Sequence, residues 1–463
     1  MIFLVLLMVE ISTTYTVSPG ESIQNALDQA SSQDTVLLLP GTYSGTGTHL
    51  GVIDGEQDGI TLLGSAQNSS TVVLDGQNLD QCILLIDGDS NGPVTQATVI
   101  RGITFRNGSS GSSPFGGGIY MDKASPSIDL CRFSNCSADN GGGAYIWKGT
   151  PEFTGCHFDS CFSVSSGAGL YLYNSPASIR NCRFIDCSST DDGGGIYIYH
   201  SDPEIHSCLF KGSWASDDGA SIYCYTLSFP DIGFCTFTQC EANYNGAAVY
   251  FRVQCGGNIH DNIIVDNLST GFYEKGGADP TFSHNCVWNN SGGNYGNLPD
   301  PTGQNGNIEQ DPLMTGDWYL SSIAAGQPIQ SPCIDAASMD VLDAGLEVYW
   351  TRTDSVFDSG TADMGYHHGP SENWVGLFER HESATGITVF PNPCSGQLSI
   401  NGHGRTIRAV RIFDLSGRVI DSQIDLENES VDLFLGSGII PGVYIASGFV
   451  EGKWISTTFL ILE

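Results

Sequence analysis

The chain has 463 residues, with 51 Asp and Glu against 17 Lys and Arg, for a formal net charge of −34. That balance excludes a nucleic-acid partner, because phosphate binding needs a basic stripe. Charged residues make up only 15% of the chain, which excludes a disordered acidic tail and leaves a Gly-, Ser- and Asn-rich surface of the secreted type.

Residues 1–9, Met-Ile-Phe-Leu-Val-Leu-Leu-Met-Val, form a short apolar run. Residues 1–14 are read as a signal segment, although no Lys or Arg precedes the run and no Ala-x-Ala site follows it. A buried first strand is the alternative. No later segment reaches the ~18 apolar residues a membrane span needs. Next, Ile23, Ala26, Leu27 and Ala30 give a short helix one apolar stripe, suited to capping the open end of a core.

A phrase then returns every 25 to 27 residues: Gly-Gly-Gly-Ile-Tyr at 116–120, then copies starting at Gly141, Gly167, Gly193, Gly219 and Gly246. A repeat of this length cannot bury its apolar face alone and must stack on its neighbours. Its apolar residues alternate, as in Ile196 and Ile198 against Tyr197 and Tyr199, so the units are strands. Prolines at 126, 151, 176, 203 and 230 fall in the turns after the Tyr strand. Three short strands per turn, each pairing one coil later, predict a parallel β-helix over 15–370. The column Ile103, Cys131, Cys156, Cys182, Cys208, Cys235, Asn262, Asn285 implies at least eight coils. Its companion runs Gly108, Cys136, Cys161, Cys187, Ser213, Cys240, Asn267, Asn290.

These columns resemble the asparagine ladders of right-handed β-helix proteins in the pectate-lyase-like superfamily, with cysteine taking the ladder position in the central coils. Val17-Ser-Pro-Gly-Glu-Ser-Ile and Asp34–Tyr43 are similar to that superfamily's opening strand, capping helix and first coil. Gln310-Asp-Pro-Leu, Ser331-Pro-Cys-Ile-Asp-Ala and Asp363-Met-Gly-Tyr-His resemble its closing segment. The resemblance implies the fold and leaves activity open, because lyases, hydrolases, epimerases and adhesins share it. The Gly-Gly-Gly-Ile and Phe-x-x-Cys phrases also resemble repeats of chlamydial polymorphic outer-membrane adhesins.

After a linker at 371–385 the repeat stops. Alternating strands over 386–463 predict a small C-terminal β-sandwich. Phe390-Pro-Asn-Pro, Asp414-Leu-Ser-Gly-Arg and Pro441-Gly-Val-Tyr resemble, in order, the type A sorting domain of the type IX secretion system. The resemblance implies export to the bacterial cell surface, with the secretion machinery as a partner.

Fifteen cysteines leave at least one unpaired. Rungs ~4.8 Å apart permit bridges, yet columns that give way to Ile, Gly, Ser and Asn behave as packing ladders. The expected state is stacked, buried thiols.

Two constellations are candidates for function. The first is two outward rows of aromatics, with Tyr145, Tyr171, Tyr197 and Tyr223 in one and Trp147, Tyr173, Tyr199 and Tyr225 in the other. An exposed flat strip of this kind suits stacking against pyranose rings of a polysaccharide, or contact with a host or cell surface. It equally suits a ladder that only stabilises the sheet. The second is the acidic loop before the Gly run, where Asp191-Asp192 and Asp217-Asp218 recur one coil apart. Four clustered carboxylates point to Ca²⁺, and ordinary turn chemistry is the alternative.

Catalytic signals are thin. Polygalacturonase-like hydrolases need paired carboxylates, and lyases need a base beside a neutralised uronate. Neither motif set is complete, Arg180 and Arg183 lie away from the aromatic rows, and His157, His200, His206 and His260 read as exposed singletons. The reading is an adhesin-like, non-catalytic secreted or cell-surface β-helix that binds glycan or another surface through its aromatic face. The alternative is a polysaccharide lyase or glycoside hydrolase acting on an anionic polysaccharide.

Overall fold

The computed structural model describes residues 12–45, 49–64, 71–86, 92–110 and 114–369, together with the backbone of strands between 388 and 461. Residues 1–11 of the expected signal segment and the linker at 371–385 lie outside the described residues. The chain divides into two compact units, 1–369 and 370–463.

The first unit is a parallel β-helix. Three sheets of eleven, ten and ten strands run its length. The first begins at Thr14–Val17 and ends at Asp279–Ser283. The second contains every Tyr strand, and the third ends at Cys286–Trp288. A fourth, five-stranded sheet from Ser137–Asn140 to Glu241–Ala242 was not expected. It forms because loops of nearly equal length fall in register in the central coils, with one register shift between Ala138 and Asn140, and their backbone groups pair with the next coil. The Tyr register is the one the repeat predicts: Tyr120, Tyr145, Tyr171, Tyr197, Tyr223 and Tyr250 are successive partners.

Inward positions make continuous columns. Phe105, Phe133, Phe158, Phe184, Phe210 and Phe237 are buried and stack with ring centroids 4.6–5.0 Å apart. The fourteen described cysteines are all free and buried. In the central coils the ladder thiols from Cys131 to Cys208 reach carbonyls of the preceding coil, as Cys156 Sγ does to Ile128 O at 3.2 Å. Asparagine takes over in the last coils, where Asn262 Nδ2 donates to Asn285 Oδ1 at 2.9 Å and Asn285 Nδ2 to Asn307 Oδ1 at 3.1 Å. An amide can both donate and accept along the column, so these buried polar groups are satisfied.

The Gly run has two causes. Its first residue is left-handed, with φ of +66° at Gly193 and Gly219. Its third position meets the next coil's backbone: a Cβ on Gly169 would lie 2.5 Å from Gly195 O.

The helix Ile23–Leu27 buries Ile23, Ala26 and Leu27 in the common core, and Ser22 caps its start by accepting from Asn25 N. At the other end, residues 310–369 fold back on the flank of the β-helix. Ala337, Val341, Leu346 and Ala362 pack on Phe234, while Leu320, Cys333 and Met364 pack on Ile263, Val265 and Cys286. The second unit, taken by itself, contains a three-stranded and a four-stranded antiparallel sheet.

Candidate functional site

The candidate site is built on the Tyr sheet and the loops that lead into it. Strand alternation sends Ile196 and Ile198 inward and Tyr197 and Tyr199 outward. Parallel pairing then stacks like on like. Tyr145, Tyr171, Tyr197, Tyr223 and Tyr250 form a column with centroids 4.7–5.1 Å apart. Trp147, Tyr173, Tyr199 and Tyr225 form the second, at 4.2, 5.1 and 5.5 Å.

The expected exposed strip, two side chains wide, requires correction. Tyr145, Tyr197 and Tyr223 are buried and Tyr171 is half-buried, so the first row is scaffold over most of its length. Phe115 lies against Tyr145 at 4.4 Å, and the Asp192 carboxyl lies beside Tyr197 and Tyr223. All four members of the second row, Trp147, Tyr173, Tyr199 and Tyr225, are half-exposed, as Tyr171 alone is among the four named in the first. Rings stacked on one another also spend their faces on each other, so this row offers edges and hydroxyls rather than a flat platform.

The acidic loops sit beside this wall. Carboxylate oxygens of Asp191, Asp192 and Asp217 lie within 4.8 Å of one another. Asp218, expected as a fourth member, is turned aside. It is buried, accepts from Asn245 Nδ2 at 3.3 Å and faces the Tyr250 hydroxyl, while its backbone N–H donates to Asp192 Oδ1 at 3.1 Å. Burial, then the neighbouring Asp191, pushes the Asp192 carboxyl up to about 7. Burial and Asp217 raise Asp191 as well.

Arg252 joins the two constellations. Its Nη1 donates to the Tyr223 hydroxyl at 2.8 Å, its guanidinium lies 5.6 Å from the Tyr225 ring centre, and its charge acts on Asp191 and Asp192. Arg180 and Arg183 stay away from this wall, as the strand positions predict: Arg180 pairs with Glu204 and Arg183 reaches the Tyr366 hydroxyl.

His206 and His260 are not exposed singletons. Both side chains are largely buried, at 19% and 13% exposure, and flank Asp231 at 3.1 and 3.4 Å. The signal was an equal spacing, because His206, Gly233 and His260 follow at intervals of 27 residues. Burial alone would lower the His260 imidazole, but hydrogen bonds to Asp231 and Asp261 outweigh it and hold it at about 9. A raised value means stability that is fully present below the unfolded value of 6.5 and lost as pH rises through about 9. The effect is on the order of 3 kcal/mol before screening at the part-exposed Asp231 is discounted. In EDTA, the melting temperature is expected to fall from pH 6.5 to 9, and His260→Gln is expected to flatten that window. An equal slope in both proteins would contradict the assignment.

Comparisons with known proteins match two separate stretches of the chain. Residues 58–237 match a family model described as right handed beta helix region, and residues 388–460 match a secretion system C-terminal sorting domain. The chain is a right-handed β-helix joined to a secretion-system sorting domain. That domain marks the protein for type IX secretion and attachment at the cell surface. Among the described residues no helix is long and apolar enough to cross a membrane. No curated protein matches the chain significantly. Among solved structures, a mutant of the PL6 family alginate lyase AlyGC is similar at 15% identity, with a TM-score of 0.25, over 61% of this chain and 53% of the lyase chain. The match thus spans about half the length of that lyase.

Proposed function

We propose that this secreted, surface-attached β-helix binds an anionic polysaccharide without cleaving it. The ligand would lie along Trp147, Tyr173, Tyr199 and Tyr225, with Ca²⁺ held by Asp191, Asp192 and Asp217. The observation that carries this reading is Arg252, which ends the half-exposed aromatic row and is electrostatically tied to the acidic loops. Aromatic edges and hydroxyls contact sugar rings and their hydroxyls, while a guanidinium pairs with a uronate carboxylate. Three carboxylates this close repel one another, and a hard dication with oxygen ligands relieves that repulsion. It would also bridge to an acid sugar, which a chain of this negative charge could not otherwise approach closely.

A second reading, a polysaccharide lyase or glycoside hydrolase, draws on Asp192, whose carboxyl is poised near neutrality beside a cation. One set of incubations separates the two. Uronate polymers should bind the purified protein more tightly in millimolar Ca²⁺ than in EDTA, and no unsaturated or reducing ends should accumulate. New chain ends would favour the second reading. Ca²⁺ should also raise the melting temperature of the wild type but not of Asp191→Asn/Asp217→Asn, since an ion bound to the native state stabilises it by mass action. A melting temperature indifferent to both Ca²⁺ and EDTA would remove calcium from the account.

A further inference from the structure

The first sheet holds a different arrangement, well separated in kind from the aromatic wall. His206, Gly233 and His260 are direct partners in three successive coils. Asp231 lies two residues before Gly233 on the middle strand and so points to the same side. In-register side chains normally form a simple column, but Gly233 leaves a gap there. A Cβ at Gly233 would lie 2.4 Å from His260 Cε1, so the imidazole occupies the space a side chain would take. The two rings meet edge to face with centroids 5.6 Å apart, and both Nε2 atoms converge on the Asp231 carboxylate.

We infer that His206, Asp231 and His260 form a binding site for one divalent transition ion of the zinc class, linking three coils of the β-helix. Two imidazole nitrogens and one carboxylate are the donor set such an ion prefers, whereas Ca²⁺ takes oxygen ligands. The spacing suits it. Bonds of ~2.0–2.1 Å in a tetrahedron place ligand atoms about 3.3 Å apart. His206 Nε2 lies 3.1 Å from Asp231 Oδ2 and His260 Nε2 3.4 Å from Asp231 Oδ1, and one ligand atom from each of the three residues lies within 4.8 Å of the others. The ion would replace the N–H contacts that now join each ring to Asp231. The partly exposed Asp231 leaves a fourth position to water.

The surroundings orient the ligands. His260 Nδ1 lies 2.8 Å from Asp261 Oδ2, and that fully buried carboxylate also accepts from Ser338 N and Oγ at 2.6 and 2.7 Å. A carboxylate on the far nitrogen is the usual support of a metal-bound imidazole. On the other ring, Arg180 Nη1 lies 3.3 Å from His206 Nδ1. Metal on Nε2 moves the ring proton to Nδ1 and ends that contact, leaving Arg180 with Glu204, which it already pairs at 2.5 Å.

The test uses the full chain, stripped with chelator and titrated with Zn²⁺ alone. One equivalent is expected to bind and to raise the melting temperature by several degrees. His206→Gln and His260→Gln should each weaken binding at least tenfold, while Asp191→Asn/Asp217→Asn binds as the wild type does. Unchanged binding in both His variants, or no binding at micromolar Zn²⁺, would overturn the site. Should a His variant fail to fold, X-ray absorption of the Zn-loaded wild type decides alone. Two imidazoles in the first shell support the site, and a shell of oxygens only overturns it.

Discussion

Removal of residues 388–463 is expected to abolish surface display while leaving a folded β-helix. The hydrophobic clusters of the first unit are built from residues within 17–366, and the three long sheets close within 14–296. Among the described residues, the two sheets of the second unit are made of its own strands. The β-helix therefore has its own core and its own backbone pairing, whereas the sorting-domain match falls wholly in the deleted piece. Protease accessibility on intact cells should drop from most of the protein to background. The truncated chain should keep its β-sheet circular dichroism and a cooperative melt. Normal display of the truncated protein would refute the sorting role, and an unfolded product would refute the independence of the β-helix.

Phe184→Ala is expected to be the most damaging single substitution in the central coils, costing about 4 kcal/mol. The ring is fully buried and stacks between Phe158 and Phe210 at 4.7 and 4.8 Å. It also lies under Gly169, where a Cβ would come within 2.7 Å of Phe184 Cδ1. Truncation loses the burial and both stacks, and rigid coils on either side cannot close the void. Phe184→Leu fills more of the space and is expected to cost roughly half as much. Denaturant unfolding of the three proteins checks the order; equal midpoints for wild type and Phe184→Ala would show the column to be a passive feature.

The fold was legible because a solenoid writes its register into its sequence. Once Tyr197 and Tyr223 align, every in-phase residue becomes a partner, and the Cys and Asn columns follow. The fourth short sheet escaped because Trp214 and Ala215 or Glu241 and Ala242 carry no periodic signal in two residues. At the site, alternation correctly turned the tyrosines outward. Outward did not mean exposed, since whether Tyr223 meets water depends on how the preceding loop folds over it. A loop path is a tertiary property that strand alternation does not encode. For the same reason Asp218 looked equivalent to Asp217 yet turned to Asn245. The His206–His260 pair was hidden by a glycine, because its cause is a missing side chain rather than a repeated one.

Affinity for a uronate polymer in Ca²⁺, compared between the wild type and Trp147→Ala/Tyr173→Ala/Tyr199→Ala, tests the glycan-binding account most directly. These three rings are half-exposed, so their loss should cost some thermal stability but not the fold. The account predicts binding weakened by more than tenfold, or ~1.4 kcal/mol, with the β-sheet signal intact. A variant that melts earlier yet binds as tightly as the wild type would contradict it and make the whole aromatic wall a structural ladder.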